Sequence, residues 1–172
     1  HDYHYLISKE YPERGSLKMV GDRYRLTHDQ RSVLYRGISS EPASEARNAR
    51  LIPLSGAMHL LIDGYNVLFT ILNYRLGRMV FVSTDGILRD AGSLHGKLRD
   101  DHLLEECIED LLTTLTPFEP FSVDIFLDSP VSSSNRHHQI IEQRLKDFGL
   151  PGTCILVHSA DHEIKSFNTG VL

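Results

Sequence analysis

The stretch LLIDGYNVLF, residues 60–69, decides the fold of this 172-residue chain. Its first half is an apolar run that ends on Asp63, as a buried strand does, and its second half has the apolar spacing of a helix. Gly64 allows a close approach of the backbone, and Asp63 can cap the helix that follows. The stretch therefore predicts a strand that passes directly into a helix, with a carboxylate at the junction.

The same alternation continues along the rest of the chain. MHLLID (58–63), RMVFVS (78–83), FSVDIFLD (121–128) and TCILVH (153–158) have the composition of buried strands, and the segments between them are helical over 65–76, 102–115 and 135–148. This order predicts an α/β domain over 58–172, with a doubly wound, mostly parallel sheet. The final NTGVL indicates the opening of another strand, so we expect the domain to be truncated at that end.

The first 57 residues have a different pattern. Helical periodicity runs to about residue 50, and Thr27 is a suitable N-cap for one of these helices. The segment 39–56 loses the periodicity and carries two prolines, which predicts a linker that contains one helical turn. We expect a small all-helical region and linker over 1–57, with few contacts across the linker.

Composition narrows the functional class. The chain is 41% hydrophobic and 24% charged, which excludes a disordered protein, and no run approaches the roughly 20 apolar residues of a membrane span. The two cysteines lack the spacing of a metal or redox motif, which favours a reducing, cytoplasmic location.

The net charge of −5 divides into +2 over 1–58 and −7 over 59–172. This argues against coating of nucleic acid by bulk charge but leaves room for an acidic site that holds cations.

Each of the four predicted strands is followed closely by an aspartate. These residues are Asp63, Asp85, Asp128 and Asp161. Ligands of open α/β sheets bind at the carboxyl ends of the strands, and clustered carboxylates repel one another unless a cation neutralises them. Oxygen ligands suit Mg²⁺ or Mn²⁺. The alternative is that the aspartates only cap helices and loops.

Two further segments contain candidate substrate-binding residues. The hydroxyl-rich loop after the third strand leads into a helix N-terminus, which can bind a phosphate. The second is the glycine-rich segment 86–99, which we expect to form a loop that contacts the substrate. A solvated loop and an ordinary surface connection are the alternatives. The candidates are Ser129, Ser132, Ser134, Arg136 and Arg89.

The motifs together carry a resemblance to a known family. IDGYNVLF is similar to the first strand of PIN-like and NYN-type nuclease domains. With SLKMVGDRYRLTHDQRSVLYR, VSTDGILRD, LDSPVSSS and SADHEIK, nearly the whole chain resembles a prokaryotic family of unknown function that joins a helical N-terminal region to such a core. The resemblance implies a PIN-like fold and a metal-dependent nuclease that cleaves RNA, with DNA as the alternative substrate.

The resemblance also implies roles for individual residues. Asp63 corresponds to the first core acid of the nuclease domains, Asn66 to its companion and Asp161 to the second acid, and a third acid is expected after the next strand, beyond residue 172. Asp85 and Asp128 match aspartates of the narrower family. We expect Asp63, Asp161 and Asp128 to hold Mg²⁺ or Mn²⁺, with Asp85 beside them and Asn66 near the substrate. The alternative function is a non-catalytic module that binds nucleic acid or protein, and a phosphatase is the third hypothesis. The partner expected besides nucleic acid is a second copy of the chain, in a homodimer.

Overall fold

The protein consists of a helical N-terminal region followed by an α/β core. The computed structural model describes residues 1–92 and 101–167. The N-terminal helices are α1 (Asp2–Ser8), α2 (Glu13–Arg23), α3 (His28–Gly37) and α4 (Glu41–Asn48). The core runs β1 (His59–Asp63), α5 (Gly64–Arg75), β2 (Val80–Val82), β3 (Leu88–Asp90), α6 (Asp101–Leu115), β4 (Ser122–Asp128), α7 (Ser134–Asp147), β5 (Gly152–Val157) and α8 (Ala160–Ser166).

Three strands form a parallel sheet in the order β1-β4-β5. Asp63 at the end of β1 is level with Phe126, and Asp128 at the end of β4 is level with Val157. The expectation of an α/β core with parallel strands and intervening helices is confirmed at this level. The predicted strands at 58–63, 121–128 and 153–158 correspond to β1, β4 and β5.

The two faces of this sheet are covered differently. Val123, Ile125 and Leu127 alternate along β4 and are fully buried in the main core beneath α5, α6 and α7. Phe126 and Asp128 point to the opposite face because side chains alternate along a strand. There α8 contacts β1 and β4, and the Phe167 ring lies 6.2 Å from the Phe126 ring.

The second predicted strand, 78–83, does not join the parallel sheet, and that part of the expectation is wrong. Val80–Val82 pairs antiparallel with β3 instead, with Val82 level with Leu88. The intervening turn closes through the Ser83 N–H, which donates to the Ile87 carbonyl at 2.9 Å. A nearby antiparallel partner needs no crossover, so this local hairpin competes successfully with the sheet.

The hairpin β2–β3 joins the N-terminal helices to the core. Arg36 of α3 forms an ion pair with Asp90 at 3.3 Å, and the Thr70 hydroxyl of α5 donates to the same carboxylate at 3.3 Å. The Thr84 N–H also donates to the Gly37 carbonyl at 2.8 Å. Contacts across the linker are therefore more extensive than the sequence predicts.

Local signals in the N-terminal region are borne out. The Thr27 hydroxyl accepts from the Gln30 N–H, and the Gln30 side chain accepts from the Thr27 N–H in return, which completes a capping box at the start of α3. Tyr3, Ile7 and Val20 form a second small core.

Within the described ranges no helix is long and apolar enough to cross a bilayer. The strand expected in NTGVL and residues 93–99 of the expected substrate loop lie outside those ranges.

Asp85 anchors this junction, and its removal should destabilise the protein. Its fully buried carboxylate accepts from Ser83, Arg47 and Arg89. We expect Asp85→Ala to lower the free energy of unfolding by about 3 kcal/mol, because the Ser83 hydroxyl and the two guanidinium groups lose a fully buried, charged acceptor. The measurement is urea denaturation. The exposed Asp22, paired with Arg31, is the control, and Asp22→Ala should cost at most about 1 kcal/mol. An equal loss in the two variants would contradict the anchoring role.

Candidate active site

Asp63 lies where β1 passes into α5. Its Oδ1 accepts the Asn66 N–H at 3.2 Å and its Oδ2 accepts the Asn66 side-chain amide at 2.6 Å. The carboxylate thus caps α5 and is held by both the backbone and the side-chain amide of Asn66. Gly64 permits this tight junction, since a Cβ there would lie 2.6 Å from Leu127 and 2.8 Å from Ile125.

Asp128 occupies the same face of the sheet on the neighbouring strand. Its Oδ1 accepts the Ala160 N–H at 2.9 Å, which fixes the start of α8 against the carboxyl end of β4. Asp161 follows in the first turn of α8 and is 65% exposed, with Lys165 Nζ 2.6 Å from its Oδ2. Asp63, Asp128 and Asp161 therefore lie along the edge that β1, β4 and the start of α8 share, and we call these three residues the acidic edge.

Within the acidic edge, the charges of Asp128 and Asp161 affect the pKa of Asp63. Burial raises the pKa of Asp63 above its usual value, and the negative charges of Asp128 and Asp161 raise it further, whereas the hydrogen bonds from Asn66 lower it. A carboxylate whose pKa is raised by neighbouring carboxylates sits in a negative potential that a bound cation would relieve. Such perturbed groups cluster at functional sites.

The donor set limits which metal could bind. Among the residues that the structure describes, no three His, Cys, Asp or Glu side chains converge closely enough to form a ready metal cage. This does not fit a closed structural site of four protein ligands. A site for Mg²⁺ needs fewer protein ligands, because Mg²⁺ keeps several waters and usually takes only one or two carboxylates plus substrate phosphates. Asp63 and Asp128 are the inner candidates, and Asp161 is the exposed one.

The loop after β4 borders the same edge. The Ser129 N–H donates to the Val157 carbonyl at 2.7 Å, and Ser129 and Ser132 are exposed. Arg136 is exposed in the first turn of α7. Ser134 differs from these residues, since it is buried and its hydroxyl donates to the Ser129 carbonyl at 3.0 Å. Its hydroxyl therefore stabilises the loop from within.

Asp85 and Arg89 do not belong to the acidic edge, which corrects the sequence expectation for both. Asp85 lies in the hairpin turn, and Arg89 lies on β3 with its guanidinium 2.9 Å from the Asp85 carboxylate. Burial tends to raise the pKa of Asp85, but hydrogen bonds from Ser83, Arg89, the Ile87 N–H and Arg47 outweigh it and hold the pKa well below its usual range. The physical reason is the antiparallel pairing of β2, which removes its turn from the carboxyl edge of the parallel sheet.

Sequence reasoning missed one buried contact beneath the edge. The Tyr65 hydroxyl and His137 Nδ1 lie 2.9 Å apart, and both residues are almost fully buried. This hydrogen bond joins the first turn of α5, directly after Asp63, to the first turns of α7. No sequence signal could have found it, because the two residues are 72 positions apart and neither belongs to a motif.

The fold and the acidic edge define an α/β protein with carboxylates at the carboxyl ends of parallel strands, preceded by a helical region. The chain belongs to the family described as domain of unknown function DUF5616, whose model matches residues 54–172. Residues 1–50 match a second family, described as protein of unknown function DUF434.

The chain is also similar to an uncharacterised protein of Methanocaldococcus jannaschii. The two are 28% identical over 167 residues, which cover 96% of this chain and 80% of the relative. No solved structure matches the chain. The similarity thus extends across both the helical region and the α/β core.

Asp63 and Asp85 should make contributions to stability that respond to pH in opposite directions. The folded-state pKa of Asp63 is raised, so its ionised form costs stability at neutral pH, and the cost disappears as pH falls through that pKa. The folded-state pKa of Asp85 is lowered, so its contribution is present above the usual carboxyl pKa and is lost as pH falls below it. We expect Asp63→Asn to be neutral or stabilising at pH 7, with any gain shrinking towards pH 4.

Asp85→Asn serves as the matched control for that measurement. It removes the same charge but should lower the free energy of unfolding at pH 7, and the loss should persist down to about pH 4. Urea denaturation of both variants at several pH values measures the two effects. A clear loss of stability in Asp63→Asn at pH 7 would mean that Asp63 is chiefly a structural cap.

Proposed function

We propose that the protein is a metal-dependent nuclease that cleaves RNA phosphodiesters at the acidic edge, with Mg²⁺ or Mn²⁺ as the cofactor. The observation that carries the proposal is the position of Asp63. It is partly buried, and both this burial and the charges of Asp128 and Asp161 raise its pKa. Carboxylates that raise the pKa of a neighbouring carboxylate cost stability, which is the usual trade-off at a functional site.

The arrangement of the elements supports a PIN-like fold as part of this proposal. The first strand ends on an aspartate, α5 to α7 cover one face of the parallel sheet, and α8 lies across the opposite face with an aspartate in its first turn. These positions agree with the first and second acids that the sequence resemblance implies. DUF5616 and DUF434 are both described only as families of unknown function, so the site carries this argument.

The chain's own residues have distinct roles in the proposed site. Asp63 and Asp128 would hold the cation, and Asn66 orients Asp63 through two hydrogen bonds. A bound Mg²⁺ or Mn²⁺ would supply charge neutralisation for the phosphate and a more acidic water. Asp128 also fixes α8 through the Ala160 N–H, so Asp161 is positioned by the same carboxylate that borders the site.

An anionic substrate needs basic groups beside these acids. Lys165, paired with Asp161 and largely exposed, lies on α8, and exposed Arg136 lies at the start of α7. Together with Ser129 and Ser132 they are the candidates for substrate phosphate contacts. RNA is the favoured substrate and DNA the alternative. We place the activity in the cytoplasm, because Cys107 and Cys154 are buried as free thiols.

A second candidate is a non-catalytic module that binds nucleic acid or protein. A specific observation favours it, since each carboxylate of the acidic edge already has a structural partner. Asp63 caps α5, Asp128 holds the Ala160 N–H and Asp161 pairs with Lys165. In that case the aspartates serve the fold alone, and divalent cations have no role.

An RNA cleavage assay tests the nuclease hypothesis. We expect the protein to degrade single-stranded RNA with Mn²⁺ present, and Asp63→Asn to reduce the rate by more than about 100-fold, since even outer partners of a metal site are worth roughly 10–100-fold. The melting temperature should not fall, because asparagine also caps helices well. The measurement is single-turnover cleavage of a labelled oligonucleotide.

Asp124→Asn is the matched control for this assay. Asp124 lies on the same strand as Asp128 but pairs with His59 at 2.8 Å, away from the carboxyl edge, so its replacement should leave cleavage intact. Undiminished cleavage by Asp63→Asn would refute the assigned site. Turnover of a small phosphomonoester without RNA cleavage would instead support a phosphatase.

Metal binding gives an independent test that separates the two candidates. Mn²⁺ at 100 times its dissociation constant should raise the free energy of unfolding by about 2.7 kcal/mol, through binding to the folded state. The increase should be lost in Asp63→Asn and kept in Asp124→Asn. Thermal denaturation with and without Mn²⁺ measures it, and an identical melting temperature in both conditions would favour the non-catalytic module.

A further inference from the structure

A cavity that is separate from the acidic edge lies where the N-terminal helices meet the core. It has a volume of about 800 Å³, and α3 forms one wall while α5, β2 and the connection between them form the other. Ligand sites commonly have this size and commonly lie at such junctions. The cavity includes none of the residues of the acidic edge.

Asn73 of α5 gives this cavity an unusual polar group. The residue is 2% exposed, and its amide Nδ2 has no hydrogen-bond partner in the part of the chain that the structure describes. Buried amide groups are nearly always hydrogen-bonded in folded proteins. An unpartnered amide in a cavity wall is therefore a donor available to a ligand that carries an acceptor.

Two exposed charged groups lie on different walls of the same cavity. Arg78 comes from the connection between α5 and β2, and Asp29 comes from the first turn of α3. Neither side chain forms an ion pair or a side-chain hydrogen bond with any residue in the described ranges 1–92 and 101–167. An arginine fork suits a phosphate, and a carboxylate suits an amino or ring N–H donor.

The remaining lining is apolar and includes an aromatic ring. Leu34 of α3 and Ile38 just after it line the cavity together with Met79 and Phe81, and Met79 is 59% exposed. The Phe81 ring packs against the bare backbone of Gly37, where a Cβ would lie 2.9 Å from the ring. Such walls accommodate a flat ring, because every nucleobase has a face that stacks on apolar or aromatic side chains.

We propose that this cavity binds a single nucleotide, with its phosphate at Arg78, its base between the apolar walls and the polar edge of the base at Asn73 and Asp29. A nucleotide separates an oxyanion from a hydrogen-bonding ring, which matches a cation and a carboxylate on different walls. A free amino acid carries both charges on adjacent atoms and matches this separation less well. The proposal does not depend on nuclease activity, since the two sites share no residue.

The test is isothermal titration calorimetry of the full protein with AMP, GMP, CMP and UMP. At least one should bind with a dissociation constant below about 1 mM, and inorganic phosphate and phenylalanine should bind more weakly. Arg78→Ala should weaken binding by about 10-fold or more, because it removes a charge-assisted contact. Arg14→Ala, at an exposed arginine outside the cavity, is the matched control and should bind like the parent.

Asn73→Leu distinguishes a ligand-binding role from a structural one. It replaces an amide nitrogen that has no partner among the described residues with an apolar group of similar size, so binding should weaken while the melting temperature stays the same or rises. Asp63→Asn should keep nucleotide binding, which separates this cavity from the acidic edge. The proposal is overturned if no mononucleotide binds at about 1 mM, if Arg78→Ala binds as tightly as the parent, if phenylalanine binds more tightly, or if only Asp63→Asn abolishes binding.

Discussion

The close packing of the first turn of α5 against β4 is the contact on which the rest of the structure depends. Gly64 leaves no room for a side chain between the α5 backbone and the Leu127 and Ile125 side chains, so the helix begins immediately after β1 ends. That position makes Asp63 the cap of α5 and sets it level with Phe126 of the central strand. The neighbouring Asp128 then follows two residues along the same face, and α8 is held against it.

The fold treats the buried Asp85 and the half-buried Asp63 in opposite ways. Asp85 receives hydrogen bonds from two arginines, two serines and a backbone N–H, and its pKa is held low. Burial raises the pKa of Asp63, and among the described residues Asn66 is its hydrogen-bond donor while Asp128 and Asp161 add negative charge. The first arrangement stabilises a junction between the helical region and the core. The second leaves negative charge uncompensated, which is why we regard the acidic edge, rather than the hairpin, as the candidate active site.

The helical region is more than an appendage to the α/β core. Arg36 and Arg47 from its helices form ion pairs with Asp90 and Asp85 of the hairpin, which itself contacts α5. The cavity around Asn73 exists only because these parts meet. A ligand bound there would contact both the helical region and α5, the helix whose first residue follows Asp63. This places the two proposed sites at opposite ends of one helix.

The sequence by itself determined the alternation of strands and helices, the capping box at Thr27 and the aspartates that end β1 and β4. These features depend on periodicity and on neighbours a few residues away, which a sequence displays directly. Only the tertiary structure decided that β2 pairs with β3, that Asp85 and Arg89 neutralise each other and that Tyr65 meets His137. The physical reason is that strand pairing and the neutralisation of a charge depend on which groups the folded chain brings together, and sequence distance does not specify those partners.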